Sequence, residues 1–379
     1  MSEDWESSLA RWASAGLVDD ETARSIREWE ARHGDTEGRN RFGIIAFGLG
    51  GLLLVAGVLL FVASNWQELS PGARFVVLIA TVAAFHAGGA FASEWKPPLS
   101  TTLHAAGTAA FGGAIFLSGQ TFNLAANWPE GFLLWALGAG AALYVLRDWP
   151  HVLYVAVLVP LWLTAKAMQL AIFEEASSVP RAAATFVFLL ALSYLFAPVP
   201  GEESVWRKSL SRLGALLLIP AAIMLAVSGF RFFSDEGSGE VEVVEIVAWL
   251  FGIGIPAALA YLLRKRDGLL IGAAIAWVLL VSLMDPEEEV QRLGILALYA
   301  AGSVGILLWG LRDRDRLPVN MGVIGFALSV LVFYFASDLF TKLGRSVGLI
   351  GAGLLFLGGG WFLERTRRTI IGKIDEAAT

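Results

Sequence analysis

The chain has no cysteine in 379 residues. That excludes disulfides, thiolate nucleophiles and thiolate metal sites. Charge is scarce too: 16% of residues are Asp, Glu, Lys or Arg, against about 25% in a typical soluble chain. The usual catalytic signatures are missing, with no H-E-x-x-H, no G-x-x-x-x-G-K-[ST] and no G-x-S-x-G. The nearest approach to an intramembrane serine nucleophile, "FLSG" at 116–119, lacks the glycine two residues before Ser118. No Asp or Glu falls in the middle of an apolar run, so a carboxylate proton relay lacks its parts. The basic tail "ERTRRTIIGK" reads as a stop-transfer flank facing anionic lipid, not as a nucleic-acid site. No cofactor and no nucleic-acid partner is expected.

What remains is apolar. Hydrophobic residues make up 56% of the chain and the mean hydropathy is +0.64. A helix crossing the ~30 Å hydrocarbon core needs about 20 mostly apolar residues. Twelve such runs are read: 43–64, 74–92, 101–119, 131–147, 151–170, 181–197, 210–230, 245–263, 268–284, 292–311, 319–338 and 346–363. The ninth is short, and the split between the third and the fourth is weakly marked. The expected fold class is all-α, a polytopic integral membrane helix bundle of about twelve transmembrane helices with a short N-terminal cytoplasmic helical hairpin. Its parts are the hairpin at 1–41, the bundle at 42–364 (divided at residue 150) and a basic tail at 365–379. The first 41 residues hold no apolar core of a signal peptide, so no cleaved leader is expected.

Lys and Arg set the orientation, because they favour the cytoplasmic side of short loops. With both termini cytoplasmic, 21 of the 28 basic residues lie inside and seven outside. The location expected is the cytoplasmic (inner) membrane of a bacterium. In the N-tail, Trp5, Leu9 and Trp12 share one helical face. Gly16 is a stop, and Asp19 or Asp20 caps a second helix through Ile26 and Trp29. The apolar stripe packs internally, lies on headgroups or docks a protein partner.

Two Asn-Trp pairs end apolar runs on the outer side, Asn65-Trp66 and Asn127-Trp128. Indole suits the membrane–water interface, which accounts for both tryptophans as anchors. Trp95 and Trp149 play that part at the inner face. The stretch "SGQTFNLAANWPEG", 118–131, adds Gln120 and Asn123 near the same depth. Amides in lipid are costly, so Asn65, Gln120, Asn123 and Asn127 are expected to face protein or a water-filled pocket. With Trp66 and Trp128 they form the candidate substrate-binding set.

These segments carry a resemblance. "LARWASAGLVDDETARSI" at 9–26, "SNW" at 64–66, "GQTFNL" at 119–124 and "LLWALG" at 133–138 are similar to the bacterial predicted membrane protein family, domain of unknown function 2157. The likeness covers roughly the first 150 residues and implies a membrane protein with no established activity. No catalytic residue carries over.

Inside the spans, His86 lies ten residues before Lys96 and His104 eight after it. A hairpin brings them to similar depth, where they are weak metal candidates without an evident third ligand. Hydrogen bonding to backbone or Thr is the plainer reading. His151 reads as an interface residue. Lys166 and Asp338 lie near outer span ends, within snorkelling range of the interface. Pro160, Pro220 and Pro256 interrupt spans, as kinks or as openings that expose carbonyls. The glycines of "GLGG" (48–51), Gly344–Gly348 and "GGG" (358–360) allow close helix packing within the chain, or a homodimer through a terminal span.

Three functions fit. The first is a non-enzymatic envelope assembly, sensing or scaffold component that binds partners through the N-terminal hairpin. The second is a transporter or lipid-handling protein with an outward polar pocket. The third is a membrane-embedded enzyme. Membrane lipids are partners in every case.

Overall fold

The computed structural model describes residue 9, residues 12–28, single positions between 49 and 64, then 68–121, 127–174, 179–202, 204–227, 243–282, 284, 289–336 and 350. Every regular element among the described residues is helical. They run α1 Pro71–Ala92, α2 Pro97–Thr121, α3 Pro129–Leu146, α4 Trp149–Glu174, α5 Val179–Leu195, α6 Val205–Val227, α7 Val243–Arg264, a 3-10 turn Lys265–Leu270, α8 Ile271–Ser282, α9 Glu289–Asp313 and α10 Arg316–Ala336. These fall on the second to eleventh expected spans. The twelfth span, and most of the first, lie outside the described residues, as does the terminal span read as a homodimer contact. Among the described residues, seven stretches are long and apolar enough to cross a membrane: 71–92, 129–146, 149–169, 205–226, 246–282, 293–313 and 316–333. Helix α2 is not among them because its Ser, Thr, Gly and His residues dilute its hydropathy. The expected ninth span is shorter in the fold. At 12 residues, α8 rises about 18 Å, short of the ~30 Å core, because the chain is still turning at Lys265–Leu270.

Local chemistry explains the helix ends. In the N-tail, the Gly16 and Leu17 amides donate to the Ala13 and Trp12 carbonyls at 3.1 and 3.0 Å. This is a Schellman stop, made affordable by glycine at φ +70°. Asp19 then accepts from the Thr22 amide at 2.8 Å. It caps the helical residues 20–28, and hydrogen bonds from the Thr22 hydroxyl and then its amide hold the carboxyl below the usual carboxylate range. Ser70 caps α1 by accepting from Ala73, with Pro71 at the first helical position. Asp148 caps α4 through the His151 amide. The same carboxylate binds His151 Nδ1 at 2.5 Å, and His151 is 0% exposed. His151, read from the sequence as an interface residue, lies in the first turn of α4 with its ring buried against Asp148.

The chain forms two compact units, divided between Val145 and Leu146. In the first, α1 and α2 pack as a hairpin. The Trp135 indole of α3 donates to the Thr108 carbonyl of α2 at 2.8 Å. In the second, α5 is the centre. Fourteen of its 17 residues are buried, and α4, α6, α7 and α8 all pack on it. Its core includes Phe188, Leu189, Leu192 and Leu195 against Leu218, Ala260, Val278 and Val281. Phe196 stacks on Trp309 with ring centroids 3.9 Å apart.

A helix buried all round must still satisfy its last carbonyls. For α5, side chains of its neighbours do so. The Leu195 carbonyl accepts from Ser211 at 2.6 Å, Phe196 from Arg264 at 3.3 Å and Ala197 from Arg207 at 2.9 Å. Arg207 also donates to the Leu263 carbonyl at 2.6 Å, at the end of α7. Arg264 is ion-paired with Asp313 at the end of α9, and both side chains are buried. Cations at helix C-termini also complement the helix dipole.

Prolines follow the same rule. Pro160 has no N–H to give the Ala156 carbonyl one turn earlier. The Tyr194 hydroxyl of α5 donates to that oxygen instead, at 2.8 Å. At Pro256 the contact is of another kind: its own carbonyl lies 3.1 Å from the Ser193 hydroxyl, which is 2.8 Å from the Leu189 carbonyl of its own helix.

Three helices end on a cation in the left-handed region. Arg147, Lys265 and Arg314, at φ 52°, 54° and 54°, directly follow α3, α7 and α9. At Arg314 the motif is again Schellman, with Asp315 N–H to Gly310 at 2.9 Å and Arg314 N–H to Leu311 at 3.2 Å.

Candidate functional site

In the second unit, the C-terminal half of α4 and the N-terminal halves of α5 and α7 line a cavity of about 310 Å³. That is the lower end of the range for small-molecule sites. Its lining is almost wholly apolar, with Val179, Phe186, Val247 and Phe251 among the walls. The polar exceptions are Lys166, Thr164 and the indole of Trp162. The Trp162 N–H is buried and has no hydrogen-bond acceptor among the described residues. Such a donor costs about 1–3 kcal/mol if left unsatisfied. Helix periodicity puts Trp162 and Lys166 on one face of α4, because positions four apart share a face. Sequence reading saw Lys166 only as a snorkelling cation. Its neighbours in the cavity come from α5 and α7, with no local pattern to announce them.

The residues read from the sequence as a substrate set fare differently. Asn65, Trp66 and Asn123 lie outside the described residues. Gln120, in the last turn of α2, and Asn127 and Trp128, just before α3, are exposed. Trp128 meets Phe132 edge-on at 6.0 Å, and Phe132 meets Phe116 at 5.0 Å. Trp95 and Trp149 are also exposed, as anchors at an interface would be.

The histidines do meet. In the hairpin, His86 of α1 and His104 of α2 approach Nδ1 to Nδ1 at 3.0 Å, with ring centroids 5.3 Å apart. His104 is buried and His86 half-buried. No cluster of three or more His, Asp or Glu able to hold a metal occurs among the described residues.

Residues 10–152 match the family described as predicted membrane protein (DUF2157), in agreement with the resemblance seen in the motifs. The match takes in the whole α1–α3 region and both histidines, and stops before the cavity. No curated protein and no solved structure matches the chain. The family match and the seven apolar stretches together make this a multi-pass helical membrane protein.

Proposed function

We propose that the protein handles lipid: it holds an anionic amphiphile in the outer half of a bacterial cytoplasmic membrane. The observation that carries this reading is the cavity between α4, α5 and α7, with Lys166 and an unaccepted Trp162 N–H in otherwise apolar walls. The basic-residue count supports twelve spans with both termini cytoplasmic. On that topology the cavity-lining halves of all three helices face outward. Apolar walls alone give no preference over the bilayer, since acyl chains are as apolar as the lining. Selectivity has to come from the polar groups. Lys166 favours a negative headgroup, and the indole N–H favours a ligand with an acceptor oxygen beside its chain.

The test is lipid binding by the purified chain in detergent, read by native mass spectrometry with a fatty acid and its methyl ester. The acid is expected to bind and the ester to bind at least tenfold more weakly. Lys166→Ala should erase the difference, and Ala248→Trp should block both. Equal binding of acid and ester by the wild type would overturn the reading.

A second reading rests on Trp12 and Leu17, both exposed at the N-terminal stop. They suit a cytoplasmic docking surface for a protein partner, on a helical hairpin formed by the first 41 residues. Deleting residues 1–38 should leave an inserted, folded protein that loses that partner. Loss of folding would show instead that the tail packs on the bundle.

A further inference from the structure

The cavity between α4, α5 and α7 is closed at one end by all three helices at once. At the Lys166 end, Val179 of α5 packs against Ala167 of α4 and Ala248 of α7. At the other end, Phe186 belongs to a core cluster that takes in Leu163 of α4 and Ile255 of α7, and all three line the cavity. Beyond Phe186 the same cluster continues through Leu190 and Leu259 to Tyr194. There α5 is fastened to both neighbours. The Tyr194 hydroxyl donates to the Ala156 carbonyl of α4 at 2.8 Å, and the Ser193 hydroxyl lies 3.1 Å from the Pro256 carbonyl of α7. Helices α5 and α7 are also close beside the cavity: a Cβ on Gly252 would stand 2.9 Å from the Ala182 carbonyl oxygen. The deep end therefore cannot open without breaking hydrogen bonds and a packed core.

Two independent measures give the size of what fits. The first is length. Seven residues separate Val179 from Phe186, and seven separate Ala248 from Ile255, which is about 10 Å along each helix. An extended chain advances ~1.2 Å per bond, since the three bonds of a backbone residue span about 3.5 Å. About eight bonds then reach from the Lys166 end to Phe186. The second is volume. A methylene takes about the space of a water molecule in the liquid, ~30 Å³. The cavity of about 310 Å³ thus holds roughly ten of them. Length and volume agree on one chain. Two chains side by side would each stop at about five carbons.

Resting on the lipid reading above, we propose that the cavity is a ruler for a single medium-length acyl chain, about eight to ten carbons on an anionic headgroup. Lys166 holds the headgroup at one end, and Phe186 stops the methyl at the other. The long paired chains of bilayer lipids are rejected. From water, each methylene that fits strengthens binding about fourfold. Past the length of the site, the surrounding lipid or detergent still gains about fourfold per methylene and the site gains nothing. A longer chain has to buckle or lift its headgroup from Lys166.

The test is native mass spectrometry of the full chain in detergent with an equimolar mixture of hexanoic, octanoic, decanoic, dodecanoic and hexadecanoic acids. Occupancy should peak at octanoic or decanoic acid and be at least tenfold lower for hexadecanoic acid. Ala183→Leu adds three carbons to the wall near the deep end, so the peak should move to chains about three carbons shorter. Phe186→Ala removes the stop and should move the peak about four carbons longer, because the space left collapses only in part. Partition into micelles is common to all three proteins and cancels in the comparison. If Phe186→Ala does not fold, Ala183→Leu alone decides. A preference that continues through hexadecanoic acid, or a peak unmoved by the variants, overturns the ruler. In either case, decanoic acid bound over its methyl ester leaves the lipid reading standing, whereas equal binding of acid and ester overturns both.

Discussion

The α1–α2 hairpin and the surroundings of α5 both bury polar groups in an apolar chain, but they distribute the partners differently. In the hairpin, one imidazole meets another across a single pair of helices. Around α5, three successive carbonyls take donors from α6 and α7, and Arg264 reaches on to Asp313 of α9. A single pair can exchange what it shares and leave the rest of the fold in place. A distributed cap cannot: each donor serves several elements, so removing one unsettles all of them. The hairpin is thus suited to change state, and α5 to hold still.

The largest break in that contrast should come from Arg264→Ala. It strands the buried Asp313 carboxylate and the Phe196 carbonyl, and loss of one partner from a buried ion pair costs about 3–5 kcal/mol. Denaturant or thermal unfolding in detergent measures it. Next comes Tyr194→Phe, which deprives the Ala156 carbonyl of its donor and should cost about 1–3 kcal/mol. In a Pro160→Ala background the residue 160 amide can serve that carbonyl. The cost of Tyr194→Phe should then shrink, giving a double mutant less destabilised than the sum of its singles. Strict additivity would mean that Tyr194 is not replacing the bond Pro160 lacks.

The hairpin should respond less. His86→Ala removes the imidazole–imidazole hydrogen bond and leaves the buried His104 without that partner, a loss of about 1–3 kcal/mol, below the Arg264 effect. A larger loss would show that the hairpin is as distributed as the α5 region.

The smallest effect is a pH dependence beside Arg264. Burial pushes the Asp315 carboxyl above its ordinary 3.8, and Asp313 adds to the rise. The Leu317 amide, Arg264 and Lys208 act against it. The folded chain therefore holds this proton more tightly than the unfolded chain. Its contribution to stability is present at pH below 3.8 and falls as pH rises through the raised value. Asp315→Asn should flatten that part of the stability profile.

Much of the helical layout was legible because a membrane span needs a long apolar run, and runs of that length are visible without knowing their neighbours. The proximity of His86 and His104 was legible too, since both count back to the same turn at Lys96. Other features had no local signal. Arg264 and Arg207 read as topology-setting charges, yet their acceptors lie up to 68 residues away. His151 read only as an interface residue, because the sequence does not show that Asp148 turns back onto its ring. Lys166 read as a cation reaching for water, and only residues of α5 and α7, remote from it in sequence, make it part of a cavity wall. The amides near the outer face offered composition without geometry. The two that are described, Gln120 and Asn127, lie at the surface.

The left-handed cations Arg147, Lys265 and Arg314 set two demands against each other. Glycine would relax each helix end, because it lacks the Cβ that makes this conformation costly by about 1–2 kcal/mol. Yet on the proposed topology each position belongs to a loop whose positive charge favours the cytoplasmic side as the chain is inserted. Optimising the finished fold at these three sites would erase instructions used only while it is being made. A glycine variant would melt later once assembled, and fewer of its molecules would be assembled the right way round.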